Sequence, residues 1–124
     1  MRVSSRHSFL CIEREGTADE PVVWRLEAEM SGENWRFAFI DCRLRVPNAE
    51  EARTALAQFE AREIQRFHIM LPDGGWLRVK RDVRGYVLIG YHLTRVRSGA
   101  AVHGEVVVEP GSGTNVCKEF QDLL

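Results

Sequence analysis

Three histidines, one tryptophan and one glutamate lie at alternating strand positions between Phe67 and Val108, and their side chains are candidates for chemistry. If the stretch folds as paired strands, one face carries Met70, Trp76, Arg78, His92, His103 and Glu105. A histidine beside a carboxylate can act as a general acid–base pair, but it needs a nucleophile or a metal as well. No third metal ligand and no nucleophile motif stands at a suitable spacing. Because Trp, Met and Arg are enriched at protein interfaces, the set predicts a recognition surface rather than a reaction centre.

The other motifs do not point to an enzyme either. Gly74-Gly75 lacks the lysine and the following helix of a phosphate-binding loop. The cysteines Cys11, Cys42 and Cys117 are far apart and form no CxxC pair. This spacing predicts free, mostly buried thiols in a reducing compartment. We therefore expect no catalytic residue, no metal and no cofactor.

Three turn signals divide the Phe67–Val108 stretch into four strands of an antiparallel meander. Asp73-Gly74 and Arg84-Gly85 predict three-residue loops in which the glycine is left-handed, and Ser98-Gly99 predicts a two-residue loop. The resulting registers place an apolar set on one face: Phe67, Ile69, Leu71, Leu77, Val79, Val87, Ile89, Tyr91, Leu93, Val102, Val106 and Val108. A one-residue slip would scatter this set, so the agreement among the three turns supports the meander.

The same registers predict which residues meet on the opposite face. They set Met70 opposite Trp76, Trp76 opposite His92, and His92 opposite Glu105. Two plainer interpretations stay open. A helix could cover this face and make Trp76 part of the core, or His92 and Glu105 could be a simple cross-strand pair.

The rest of the chain predicts the elements that pack around the meander. Residues 7–14 and Val22–Met30 read as strands, the second with strict alternation of apolar and polar residues. Trp35–Val46 has apolar residues in two phases, and we favour coverage of both faces over a bulge. Ala49–Ile64 reads as an amphipathic helix that Asn48 caps, and Asn115–Leu124 as a short C-terminal helix.

These elements predict one α+β domain over residues 1–124. Its expected architecture is a single, mainly antiparallel sheet of six to seven strands, with one long helix packed on it and a short C-terminal helix. No apolar run reaches the roughly 20 residues of a membrane-spanning helix, and the N-terminal run stops at Ile12, too early for a secretory signal. We expect a cytoplasmic protein that does not enter a membrane. Exposed edge strands would allow a homodimer.

The charge is nearly balanced overall but uneven along the chain. The formal net charge is −1, while residues 66–97 carry seven bases against two acids. As an alternative to a protein-binding module, the meander could bind a small ligand or nucleic acid. That alternative requires a continuous basic face formed by Arg78, Lys80, Arg81 and Arg84.

The segments DGGWLRV (73–79) and RGYVLIGYHL (84–93) resemble the small bacterial WapI-type immunity proteins. The likeness in the order of elements extends over Val22–Leu124, but no motif allows functional residues to be carried over. The resemblance implies a cytoplasmic antidote that binds and blocks the toxin domain of a polymorphic toxin. A protein partner is therefore expected ahead of a nucleic acid.

Overall fold

A computed structural model describes residues 1–16, 21–95 and 97–124 of the protein. Its elements are β1 (Arg2–Ser5), β2 (Ser8–Arg14), β3 (Val23–Ser31), β4 (Arg36–Arg45), α1 (Ala49–Glu60), β5 (Arg66–Met70), β6 (Trp76–Arg81), β7 (Val87–Arg95), β8 (Ala100–Val108) and α2 (Val116–Leu123). Within these ranges, no helix has the length and apolar character needed to cross a membrane.

The strands form two four-stranded antiparallel sheets, in the orders β1-β2-β3-β4 and β5-β6-β7-β8. The α+β class is confirmed, but the expected single sheet of six to seven strands is wrong. Each sheet has one apolar face, and two such sheets bury these faces by packing against each other. The helix α1 separates β4 from β5 in the chain, and the short, polar strand β1 was not predicted at all.

The two helices close one end of this sandwich instead of lying across a sheet. The indole nitrogen of Trp24, near the start of β3, donates to the carbonyl of Leu123 at 2.8 Å. The ring of Phe67 on β5 contacts Phe59 of α1 and Phe120 of α2 edge-on, with centroids 5.3 and 6.3 Å apart. Buried side chains of both sheets and both helices thus form one core.

Both ends of α1 differ from the prediction, whereas α2 has a side-chain cap. The helix α1 stops at Glu60 rather than Ile64, because Arg62 adopts a left-handed conformation with φ of 62°. Asn48 precedes α1 but makes no capping bond with its side chain. By contrast, the side chain of Asn115 accepts a hydrogen bond from the backbone N–H of Lys118 at 3.1 Å and caps α2.

The meander is present, and two of its three registers are as predicted. Strands β5, β6 and β7 align Ile69 with Leu77 and Leu77 with Tyr91. The register of β8 is wrong by two residues, since its pairing with β7 ends at Arg95 and Ala100. A shift of two keeps every side chain on its face. The predicted apolar set is therefore buried, with Val87 half-buried at the margin.

The backbone angles at the β5–β6 and β6–β7 turns can be compared with the turn types that the sequence predicts. Gly85 is left-handed with φ of 85°, as predicted. At the first turn Asp73 and Gly74 both have positive φ, 64° and 79°, which is the pattern of a type I′ turn rather than a type I turn.

A bulge in β4 resolves its two apolar phases. Trp24 pairs with Leu44 and Leu26 with Asp41, so β4 has one residue more than β3 over this stretch. The extra residue turns both Phe39 and Leu44 toward the core. Coverage of both faces was the wrong choice, because Ile40 on the outer side stays 43% exposed. Beside the bulge, the guanidinium of Arg95 donates to the carbonyl of Ile40.

Cys11, Cys42 and Cys117 are free, as predicted. They are less buried than expected: Cys42 is exposed and the other two are half-buried.

Candidate functional site

The predicted recognition residues lie on the outer face of the second sheet. We call this surface the Trp76 face; it comprises Met70, Trp76, Arg78, His92, His103 and Glu105, with His68 beside them. No described element covers it, since both helices pack at the end of the sandwich. Met70 remains 47% exposed, and Trp76 is half-buried by its neighbours within the sheet. The interpretation of Trp76 as helix-covered core is therefore wrong.

An aromatic cluster forms the centre of the Trp76 face. The Trp76 ring stacks on His92 with centroids 5.7 Å apart. His68 and His103 contact the same indole edge-on at 5.9 and 6.0 Å. The guanidinium of Arg78 lies 5.5 Å from the centroid of the indole ring, within cation–π range. One indole therefore has three imidazoles and one cation around it.

Strand register brings this cluster together. Met70 lies opposite Trp76 and Trp76 opposite His92, as predicted. The predicted pairing of His92 with Glu105 is wrong, because the register of β8 sets His103 opposite His92 and Glu105 opposite Gly90. The arrangement thus places imidazole against imidazole and does not form the acid–base pair that the sequence suggested.

The electrostatics of the face are cationic at β5 and β6. Burial lowers the pKa of His68 below its ordinary value, and repulsion by Arg78 and Arg66 lowers it further. The imidazole nitrogen Nδ1 of His92 is buried and has no hydrogen-bond partner among the described residues. Among all the described residues, no group of three or more His, Cys, Asp or Glu side chains could hold a metal ion.

The four basic residues of the alternative prediction do not form one continuous face. Arg78 and Lys80 point outward beside Trp76. The guanidinium of Arg81 instead lies 4.2 Å from the Phe59 ring centroid of α1, and it donates to the Phe59 carbonyl at 3.4 Å. Arg84 forms an ion pair with Asp82 at 2.9 Å.

A second feature escaped the sequence analysis. An open cleft of about 850 Å³ lies between the β1–β2 turn, the β3–β4 hairpin and β8, and it is lined in part by Met30, Glu33, Trp35 and Glu105. Only Glu105 was among the predicted site residues. The signal that could have revealed the cleft was the run of apolar residues at the start of Trp35–Val46, which we had attributed to a covered strand.

Among the described residues, neither of these two surfaces has a nucleophilic side chain hydrogen-bonded to a base. Function must be argued from their geometry, because the chain matches no family model, no curated protein and no solved structure in our comparisons.

Proposed function

We propose that the protein is a non-enzymatic protein-binding module and that the Trp76 face is its contact surface. One observation carries the proposal: Trp76 has aromatic and cationic side chains packed around it, and yet no element among the described residues covers the face. Trp and Arg dominate the residues that contribute most to binding energy at protein interfaces. A rigid strand framework holds them here, so little side-chain entropy is lost on binding.

The chemistry of the face favours a partner with apolar and acidic groups. Met70 offers a flexible apolar side chain that adapts to different shapes. Arg66, Arg78 and Lys80 project from outward positions of β5 and β6, and their charge attracts carboxylates. Glu105 lies in the same cross-strand row as Arg78, with Gly90 between them, and one carboxylate balances only one of the three cationic side chains.

The partner, in this proposal, is the toxin domain of a polymorphic toxin, and the protein acts as its immunity protein in the cytoplasm. This part rests on the resemblance of residues 73–79 and 84–93 to WapI-type immunity proteins. The free thiols are compatible with a reducing compartment.

A second candidate function is binding of single-stranded nucleic acid. The observation in its favour is the stack of Arg78 on Trp76 beside Lys80, because bases stack on such aromatic platforms while cations contact phosphates. Affinity for a single-stranded oligonucleotide that falls steeply with added salt would support it. The protein-binding proposal predicts no such affinity.

Capture experiments with the full chain as bait test the main proposal. The baits are the natural chain, Trp76→Ala, Arg78→Ala and the control Arg25→Ala, whose side chain is exposed on the first sheet. A specific partner should be retained by the natural chain and by Arg25→Ala, and lost by the other two. Retention by all four baits would refute the Trp76 face as the contact surface.

The immunity role has its own test. A toxin domain encoded directly upstream should stop growth of a host cell, and co-expression of the natural chain should restore it. Trp76→Ala should not. Failure of the natural chain to protect would refute the immunity role while leaving the binding surface to the capture experiment.

A further inference from the structure

Two turns that are hydrogen-bonded to each other form one side of the open cleft. The turn between β1 and β2 carries Arg6 and His7, and the hairpin between β3 and β4 begins at Ser31. The backbone N–H of Ser31 donates to the carbonyl of His7 at 3.0 Å. The cleft between these turns and β8 encloses about 850 Å³, which falls in the usual range of roughly 300–1,000 Å³ for small-ligand sites.

An uncovered indole forms the apolar wall of the cleft. Trp35 is 55% exposed, an unusual position for so large an apolar ring. It lies against Gly32, where an added Cβ would stand 2.2 Å from the indole Nε1. Only glycine at position 32 therefore permits this placement. The N–H of Gly32 also donates to the Trp35 carbonyl at 2.9 Å and closes the hairpin.

Ser8 and Gly104 line the uncharged part of the cleft, and behind them the buried ring of Tyr91 links the two sheets. The hydroxyl of Tyr91 on β7 lies 2.9 Å from the Ser8 hydroxyl on β2. The Tyr91 hydroxyl crosses Gly104, where an added Cβ would be only 2.1 Å away. Burial raises the pKa of Tyr91 above its ordinary value, which already lies well above neutral pH, so the phenol is uncharged there. This part of the cleft therefore adds no charge to the lining.

The cleft has more acidic than basic side chains in its lining. Glu33 and Glu105 line it together with a single arginine, Arg6. With His7 neutral, two negative charges face one positive charge, and the lining has a net charge of −1. An exposed indole beside carboxylates attracts a cation, because the ring face is electron-rich and the carboxylates complement the charge.

We propose that this cleft binds an ammonium or guanidinium group carried on an apolar body. The body packs against Trp35 and Met30, and the cationic head lies between Glu33 and Glu105. Such a group belongs either to a small organic amine or to an arginine or lysine side chain of another protein. The site goes beyond the proposed function: it shares only Glu105 with the Trp76 face, whose binding is tested at Trp76 and Arg78.

Two-dimensional NMR of the indole N–H signals of the full chain tests the proposal. The probes are 2-phenylethylammonium, the neutral analogue 2-phenylethanol, and a short arginine peptide with blocked ends. The Trp35 signal, assigned with Trp35→Phe, should shift in a saturable manner with a cationic probe. The Trp76 signal should stay in place, and the neutral analogue should bind at least about ten-fold more weakly.

Substitutions identify the groups responsible. The double variant Glu33→Gln, Glu105→Gln should weaken cation binding by about ten-fold or more, while Arg25→Ala should leave it unchanged. Circular dichroism should show each variant folded. Binding of the amine alone indicates a small-molecule ligand, and binding of the peptide alone indicates a protein side chain; both support the proposal.

Two results would overturn the proposal. One is the absence of a saturable shift with either cationic probe. The other is that the neutral analogue binds as tightly as the cation and that the double variant binds the cation as tightly as the natural chain. Neither result would touch the proposed function, because partner capture is judged with Trp76→Ala. Conversely, loss of the Trp76 partner would leave the NMR experiment intact.

Discussion

The imidazole rings of His92 and His103 lie 4.5 Å apart between centroids, on the adjacent strands β7 and β8. Trp76 on β6 stacks on His92 and extends this row across three strands. No local sequence motif joins the three residues, so the row exists only because the strand registers align it. Changes to the row therefore probe the outer surface of the sheet with little effect on its core.

Replacing the indole of this row should separate binding from stability. We expect Trp76→Ala to abolish capture of the partner and to lower the free energy of unfolding by only about 1–2 kcal/mol, because the side chain is half-buried. Leu77→Ala, at the neighbouring fully buried position, should cost about 2–5 kcal/mol. Urea denaturation measures both. Equal losses of stability would mean that Trp76 belongs to the core.

The His68 ring should titrate at lower pH than free histidine. Burial and the nearby Arg78 and Arg66 lower its pKa from 6.5. The folded-state pKa of His68 is then below the unfolded-state value of about 6.5. Above that pH the imidazole is neutral in both states and does not affect the free energy of unfolding. As the pH falls below it, the unfolded chain binds the proton first, so the free energy of unfolding decreases. NMR titration of the imidazole measures the folded-state pKa.

Two variants identify the cause of that shift. Arg78→Gln should raise the pKa of His68, since it removes one of the repelling charges. Lys80→Gln, on the same face, should leave it where it is. A His68 midpoint at or above 6.5 in the natural chain would contradict the prediction.

Two strand glycines should respond differently to an added methyl group. Gly104→Ala places a Cβ 2.1 Å from the Tyr91 hydroxyl, so the ring must move and its bond to Ser8 is lost. We expect a loss of about 1–3 kcal/mol in the free energy of unfolding. At Gly90 the added Cβ meets its nearest neighbour at 3.5 Å, an ordinary contact. Gly90→Ala is therefore the control and should stay within about 0.5 kcal/mol of the natural chain. Thermal unfolding of both compares them directly.

The two asparagines that precede helices should differ as well. Asn115→Ala removes the acceptor that binds the Lys118 N–H and should destabilise the protein by about 1 kcal/mol. Asn48→Ala removes no capping bond of the side chain, and we expect less than about 0.5 kcal/mol. Chemical denaturation decides between them, and a larger cost at Asn48 would show that the capping assignment is wrong.

Local chemistry made part of the fold predictable from the sequence. Gly85 needs a left-handed turn, and that turn determines the pairing of β6 with β7. The loop before Ala100 carries a weaker signal, so its length was misjudged by two residues and His92 was assigned the wrong neighbour. The assignment of side chains to the two faces was still correct, because side-chain direction along a strand repeats every two residues.

The division into two sheets depends on contacts between distant residues. Whether β4 pairs with another strand or ends a sheet is decided by what packs over Phe39 and Leu44. The alternation of apolar and polar residues along the strand does not contain this information. The cleft was missed for the same reason. Trp35 looks like a core residue in the sequence, and only the tertiary arrangement leaves it uncovered.

The bulge of β4 and the guanidinium on the Ile40 carbonyl have a consequence for self-association. β4 ends its sheet, with Phe37 and Ile40 exposed, and an apolar edge strand that is flat can template the growth of fibrils. Here the bulge twists the edge, Arg95 occupies one of its acceptors, and Arg43 and Arg45 add like charges that repel a second copy. We expect the protein to keep an apolar edge in water without polymerising through it.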